Sequence, residues 1–456
     1  MKLSQAMRIV PGECIAFSGA GGKSTALFTL AKELPGPVVV TTTTHFSLDQ
    51  LSLADNVQYV NRSTETNEIF ENLKDGVILL RGELVGQDKV AGIPEDKLEE
   101  LFHAARERGI TILIEADGSR QLPVKAPATH EPVIPAFVDQ VVVVTGLTGL
   151  GKPLNENWVH RVDQFAKISG LDLGEPVTQS TLIEVLKDPD GGLKGIPTYA
   201  KRIALLNQAD DPGLQALGNW IAKRLADDYD AVIVASLMPS GEHTENLRGD
   251  QKTSIGIIFA AHQSIAAIIL AAGQAERMGR TKQLLPWKGK PLIWHVAQAA
   301  SDEWINEVII VIGAKGELVK ESLSDLDVQF VNNPDWQLGQ STSLKAGLSA
   351  VPKWTGAAIF LLADQPQISP TLINALIERH AVTLAPIVAP LIDGKRGNPV
   401  LFDRITFDEL MKVQGDQGGR KIFSRHPVEW VEWHDDRALV DIDTEVDYQN
   451  LLDGDF

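Results

Sequence analysis

Cysteine is almost absent from this chain: Cys14 is the only one in 456 residues. An internal disulfide framework and a cysteine-rich zinc site are therefore excluded, which fits a reducing cytoplasm. Cys14 itself reads as a small buried hydrophobe in the strand ECIAFSG. Long apolar runs are missing too. No stretch approaches the length of a membrane span, and the opening MKLSQAMRIVPGE lacks the apolar core and cleavage site of a signal peptide, so a cytoplasmic protein without membrane contact is expected. Positive charge is scarce. With 42 Lys and Arg against 60 Asp and Glu, the formal net charge is −18. No broad electrostatic grip on nucleic acid is expected, and any anion must be held locally.

What remains is a globular composition, 44% hydrophobic and 22% charged, long enough for two or three domains. Short β-branched runs alternate with helical patterns: CIAFSG, PVVVTTTT, GVILLRG, TILIEADG, QVVVVTG, RIALLNQ and DAVIVAS. Each is too short for a helix and too apolar for an exposed strand, so these are predicted to be buried strands of a parallel sheet. Segments such as KSTALFTLAKEL and PEDKLEELFHAARERG read as the intervening helices, which makes the class α/β. A polar, turn-rich passage, LMPSGEHTENLRGDQKTS, then interrupts the series as a linker. The pattern restarts with IAAIIL, NEVIIVIG, VQFVNN, AAIFLLAD and PIVAPL. A boundary near residue 262 separates two predicted domains, 1–258 and 264–456.

In open α/β sheets ligands collect where strands end and helices begin, because loops there expose backbone N–H groups. The loop Leu270, Ala271, Ala272, Gly273 follows such a strand, and residues 277 to 290 contain Arg277, Arg280, Lys282, Lys288 and Lys290 with no carboxylate. Gly273 lets a phosphate approach the backbone, while Arg277 and Lys282 can neutralise a triphosphate. A glycine turn with solvated cations is the bland alternative. Asp364 ends the apolar strand AAIFLLAD, where a carboxylate must be solvated, paired or bound to a metal such as Mg²⁺. Asp441 and Asp443 are candidates for the second ligand. Ser343, in GQSTSLKAGL, reads equally well as a substrate contact or a helix cap.

Six segments, LAAGQAERMGRTKQLLPWKGKPL, NPDWQLGQSTSLKAGL, LLADQP, GNPVLF, GDQGGR and DIDTEVDY, occur in the order typical of MocA-like molybdenum cofactor cytidylyltransferases. The resemblance covers about residues 264 to 456. It implies a Rossmann-like nucleotidyltransferase fold in which CTP and molybdopterin-bound molybdenum give the cytosine dinucleotide cofactor and pyrophosphate. Ala272 departs from the LAGG opening typical of related guanylyltransferases, and Asn398 stands where GHP is expected. Under this reading Arg277 and Lys282 act on the leaving pyrophosphate and Asp364 with Asp443 holds Mg²⁺.

In the first half, SGAGGKST follows a strand and opens a helix, the context of a phosphate-binding loop. Gly19 to Ser24 forms GxxGKS, with Gly19 and Gly22 turning the backbone, Lys23 reaching β- and γ-phosphates, Ser24 meeting magnesium and Thr25 following. A glycine turn capping a helix is the plain alternative. TILIEADG ends in Glu115 and Asp117, as a metal-facing strand of an NTPase would. Threonines 41 to 44 either line phosphates or serve β propensity. RIALLNQAD resembles a guanine-reading NKxD segment with Gln208 in place of lysine, but a plain turn is the favoured reading of Asp210.

SGAGGKST, VVVTTTTHF, EADGSRQLPVKAPATHEPVIP and the His160–Arg161 pair resemble the YqeC family, accessory proteins of selenium-dependent molybdenum hydroxylases. Lys125, His130 and Glu131 fall within that pattern. The combined expectation is a cofactor-maturation enzyme: a P-loop-like NTPase sheet using ATP or GTP, joined to a cytidylyltransferase. Molybdopterin and a hydroxylase apoenzyme are the expected partners. A sugar or alditol phosphate cytidylyltransferase and a non-catalytic cofactor chaperone are the alternatives.

Overall fold

The computed structural model describes residues 1–71, 73–237, 256–273, 281–301, 304–416 and 418–454. Packing divides the chain into two units, Met1–Ala261 and His262–Phe456.

In the first unit the β-branched runs form the centre of a nine-stranded sheet. Cys14–Gly19 lies between Thr111–Glu115 and Gln140–Gly146, parallel to both. Outward on one side come Pro37–Thr42, Gly76–Arg81 and Asn56–Tyr59, and on the other Lys201–Asn207 and Ala231–Ser236, again parallel. Gln140–Gly146 and Thr111–Glu115 are buried along their whole length, which explains why they show no polar alternation. Helix Lys23–Glu33 follows directly on the central strand. Two small sheets escaped the sequence pattern. One joins His45–Ser47, Lys89–Ala91 and Leu84–Val85; the other pairs Val124–Lys125 with Val159–His160. Strands of two or three residues carry too little periodicity to be legible.

In the second unit Gln329–Asn332, Glu307–Ile312, Ile265–Ala271 and Ala357–Leu362 run parallel in that spatial order. Val400–Asp403 then turns antiparallel between Ala357–Leu362 and Ile387–Ile392, and Val428–Trp433 adds on beyond. The mixed half of this sheet was not expected from the sequence. Helix Gln340–Ala350 lays Leu344 and Leu348 on Ile268, Ile309, Val311 and Phe360. Burying such side chains stabilises by about 1.5–3 kcal/mol each. Gly347 permits the approach, since a Cβ there would sit 2.4 Å from Ile268. Among the described residues no helix is long and apolar enough to cross a membrane.

Candidate active sites

The strand Cys14–Gly19 ends in a glycine cradle whose backbone only glycine adopts without strain. Gly19, Gly21 and Gly22 have φ of +93°, +74° and +102°. A Cβ on Gly21 would lie 2.1 Å from the Gly146 nitrogen. The cradle is clamped from outside: Asn207 donates through Nδ2 to the Gly21 carbonyl at 2.8 Å, and Asp117 Oδ2 accepts the Gly19 N–H at 3.0 Å. Lys23 opens the helix and is fully buried, with Nζ 3.3 Å from Glu115 and 3.4 Å from Asp117. Burial opposes its charge, but the two carboxylates outweigh burial and hold the ammonium above its ordinary range. Ser24 donates to Glu115 at 2.8 Å and accepts from Gln50 at 2.8 Å. Thr25 follows half-buried in the first helical turn. Gln50 was not found from sequence, since a lone glutamine in a short helix carries no motif.

The threonine hydroxyls are engaged in tying neighbouring strands and loops together. Thr41, Thr42 and Thr43 donate to the carbonyls of Leu80, Glu115 and Val133. Asp210 accepts from Ser236 at 2.6 Å, and Asn207 also accepts the Leu237 N–H, so the NQAD segment braces the loop in a turn role. His130 is exposed.

In the second unit, the interior strand Ile265–Ala271 delivers Leu270 to Gly273 at its carboxyl end. Ala271 and Ala272 are buried, and the Ala272 carbonyl accepts the Ala314 N–H at 3.2 Å. Gly273 is exposed, and among the described residues a Cβ there would meet nothing within 4 Å. Lys282 joins the strand end from the far side of the loop: its ammonium donates to Asp364 and to Asp443, the latter at 2.8 Å. Burial lowers the affinity of Lys282 for its proton, while Asp364 and Asp443 more than reverse this. Asp441 accepts from Gln365 at 2.7 Å, and its carboxyl is pushed above the usual range by burial and then by Asp364 and Asp443. Two carboxylates thus grip one ammonium, with a third, Asp441, close enough to feel their charge.

Other expected members stand apart. Arg277 and Arg280 lie outside the described residues. Lys290 pairs with Asp325 at 2.6 Å, and Lys288 lies 4.3 Å over the Trp287 ring. Ser343 is buried and its hydroxyl accepts from Asn333 at 3.0 Å, which makes it a brace between the end of Gln329–Asn332 and the helix Gln340–Ala350. It does not cap that helix.

Among the described residues no three His, Cys, Asp or Glu side chains are grouped to hold a metal unaided. Each site instead offers paired carboxylates already gathered on a cation, Lys23 in one unit and Lys282 in the other. Mg²⁺ commonly takes one or two carboxylates plus phosphate oxygens and water, so the donor sets fit that ion when it arrives with a polyphosphate.

A small, partly open pocket lies beside Leu270 and Leu362, walled by Phe360, Phe402 and Phe423 and by Arg396 and Arg420. The Arg396 guanidinium lies 4.5 Å over the Phe423 ring. Burial, with the nearby Arg420 charge, lowers its proton affinity. The sequence signals for this pocket were GNP and GDQGGR, which carry Asn398 and Arg420, but neither motif alone revealed a cavity.

A glycine loop at a strand end, with a lysine and paired acids beside the next strand, accompanies a sequence match over residues 267–430 to the MobA-like NTP transferase domain, which places the second unit among nucleotidyltransferases. Residues 15–163 match the YqeC protein family, and the chain belongs to that family. It is 32% identical over 213 residues to YqeC of Escherichia coli (strain K12), covering 42% of this chain and 75% of that protein. It is 28% identical over 198 residues to nicotine blue oxidoreductase of Paenarthrobacter nicotinovorans, covering 41% of this chain and 96% of that protein. Among solved structures, Rv0371c of Mycobacterium tuberculosis H37Rv is similar at 27% identity, with a TM-score of 0.38, covering 42% of this chain and 99% of that one.

Proposed function

We propose that the second unit transfers CMP from CTP to molybdenum-bound molybdopterin. The observation that carries the proposal is the Lys282 ammonium gripped by Asp364 and Asp443, with the adjacent Gln283 fastened to the Ala271 carbonyl at the end of the glycine-loop strand. In this reading an acceptor phosphate oxygen attacks the α-phosphorus of CTP. A new O–P bond forms, the bond to the bridging oxygen breaks, and the electron pair leaves with pyrophosphate. No protein nucleophile is required. Asp364 and Asp443 would hold Mg²⁺, which supplies charge neutralisation, and Lys282 would turn to the leaving phosphates with Arg277. The Leu270–Gly273 loop would fix the triphosphate, and the aromatic, doubly cationic pocket suits a flat anionic acceptor better than a polyhydroxylated sugar or alditol phosphate.

The first unit is proposed to bind ATP or GTP at Gly19, Gly22, Lys23, Ser24 and Thr25, with magnesium at Ser24 and Asp117, as a P-loop-like accessory NTPase in cofactor delivery to a hydroxylase apoenzyme. Incubation with CTP, magnesium and molybdenum-bound molybdopterin should release pyrophosphate and give a cytosine dinucleotide by mass spectrometry. Pyrophosphate without that product, or none at all, would overturn the assignment.

A further inference from the structure

The segment after Asp117 is fastened to the phosphate cradle, with Gly21 N–H donating to Leu122 at 3.0 Å and Gly146 N–H to Pro123 at 2.8 Å. It leads into Val124–Lys125, which pairs in parallel with Val159–His160 so that Lys125 stands opposite His160. Lys125 is buried and donates to Asp117 at 2.8 Å and to the Gly118 carbonyl at 2.6 Å. Its ammonium also meets Glu131 at 2.9 Å, and Arg161 meets the other oxygen of Glu131 at 3.3 Å. Lys23 and Lys125 therefore sit on opposite oxygens of one carboxylate, Asp117.

One buried donor in this cluster is left without a hydrogen bond: Arg161 Nε is buried and unpartnered, although Nη2 of the same guanidinium meets Glu131. The neighbouring His160 is 8% exposed. Buried polar groups are almost always satisfied, so an orphan of this kind needs an account. Arg161 and His160 can both donate to an oxygen. The charges around the imidazole point the same way: burial, Lys125, Arg161 and Arg120 all disfavour its protonation, and Glu131 alone opposes them, leaving His160 at about 4. A neutral imidazole in a positive field lacks an anion rather than a cation.

We infer that His160 and Arg161, in the field of Lys125, form a second anion site beside the cradle, which takes the oxyanion of a second substrate and presents it across Asp117 to the nucleotide. The unit is then a two-substrate site and not a bare nucleotide hydrolase. Its role toward the nucleotide rests on the proposed binding at Lys23; the anion site itself does not.

The test uses the full chain with ¹⁵N-labelled histidine, the His160 ring signal being assigned by its loss in H160Q. Inorganic phosphate is titrated with and without a non-hydrolysable ATP analogue and magnesium, and acetate is titrated in parallel to distinguish a phosphate-bearing from a carboxylate-bearing substrate. A saturable shift of the His160 signal is expected with one of the two anions. R161Q should weaken it about tenfold or more, as loss of a charge-assisted bond does, while K23A should leave it in place. No shift with either anion up to about 50 mM, far weaker than a useful substrate site, or a shift unchanged by R161Q, would overturn the inference. If the anion shift is present but the analogue does not bind, the nucleotide reading fails and the anion site stands.

Discussion

Replacing Asp364 with asparagine keeps the shape of the side chain and removes its charge. Asp364 shares Lys282 with Asp443, and the three side chains are 17%, 24% and 47% exposed. Partly solvated pairs of this kind stabilise a fold by at most about 1 kcal/mol. Asp443 still holds the ammonium at 2.8 Å in the variant. The unfolding midpoint should therefore move by no more than about 2–4 °C. Catalysis is another matter, because a neutral amide binds a divalent cation poorly and the triphosphate charge loses its counterweight. A loss of about 3–4 kcal/mol of transition-state stabilisation corresponds to a fall in kcat of roughly 10²–10³. Pyrophosphate release with CTP, magnesium and molybdenum-bound molybdopterin reads the rate, and a thermal melt reads the fold. A folded D364N enzyme with a rate within about threefold of wild type, less than 1 kcal/mol, would refute the metal role of Asp364.

CTP should be preferred to GTP by at least about tenfold in kcat/KM, or roughly 1.4 kcal/mol, and equal rates would remove the inference drawn from Ala272. Gly21→Ala combines φ of +74° with a Cβ 2.1 Å from the Gly146 nitrogen. It should destabilise the first unit by about 2 kcal/mol or more in denaturant unfolding, and an unchanged midpoint would show that the loop yields freely. His262 stacks on Trp304 at 4.3 Å, and burial first, then His380, depress it to about 3. Its folded value lies below the unfolded one, so the stability it contributes is complete above about pH 6.5 and is lost as pH falls toward 3. His262→Phe keeps an aromatic partner and should flatten the dependence of denaturant stability on pH across that window; an unaltered slope would refute the burial account.

The long strands were legible because burial on both faces leaves an uninterrupted apolar signature, as in QVVVVTG. Helix Lys23–Glu33 was legible because lysine and serine follow a glycine turn at the end of a strand. Val400–Asp403 was not, since four buried residues after GNP look the same whether the strand runs parallel or antiparallel. Lys282, Asp364 and Asp443 were named from sequence, but their common ammonium could not be, because residues separated by 82 and 161 positions meet only through the sheet. Ser343 was named from sequence as a ligand or cap candidate, and its hydrogen bond from Asn333 could not be, because that contact forms only through tertiary packing.

The lysine that should greet a polyphosphate is, in each unit, already engaged by acids: Lys23 by Glu115 and Asp117, Lys282 by Asp364 and Asp443. A bare nucleotide entering either site would meet two carboxylates at the moment it sought one cation. If the proposed nucleotide arrived with a divalent ion, the acids would be available to the metal and the ammonium to the phosphates. Order of arrival would then be built into the protein, with the metal admitting the nucleotide before it assisted the chemistry.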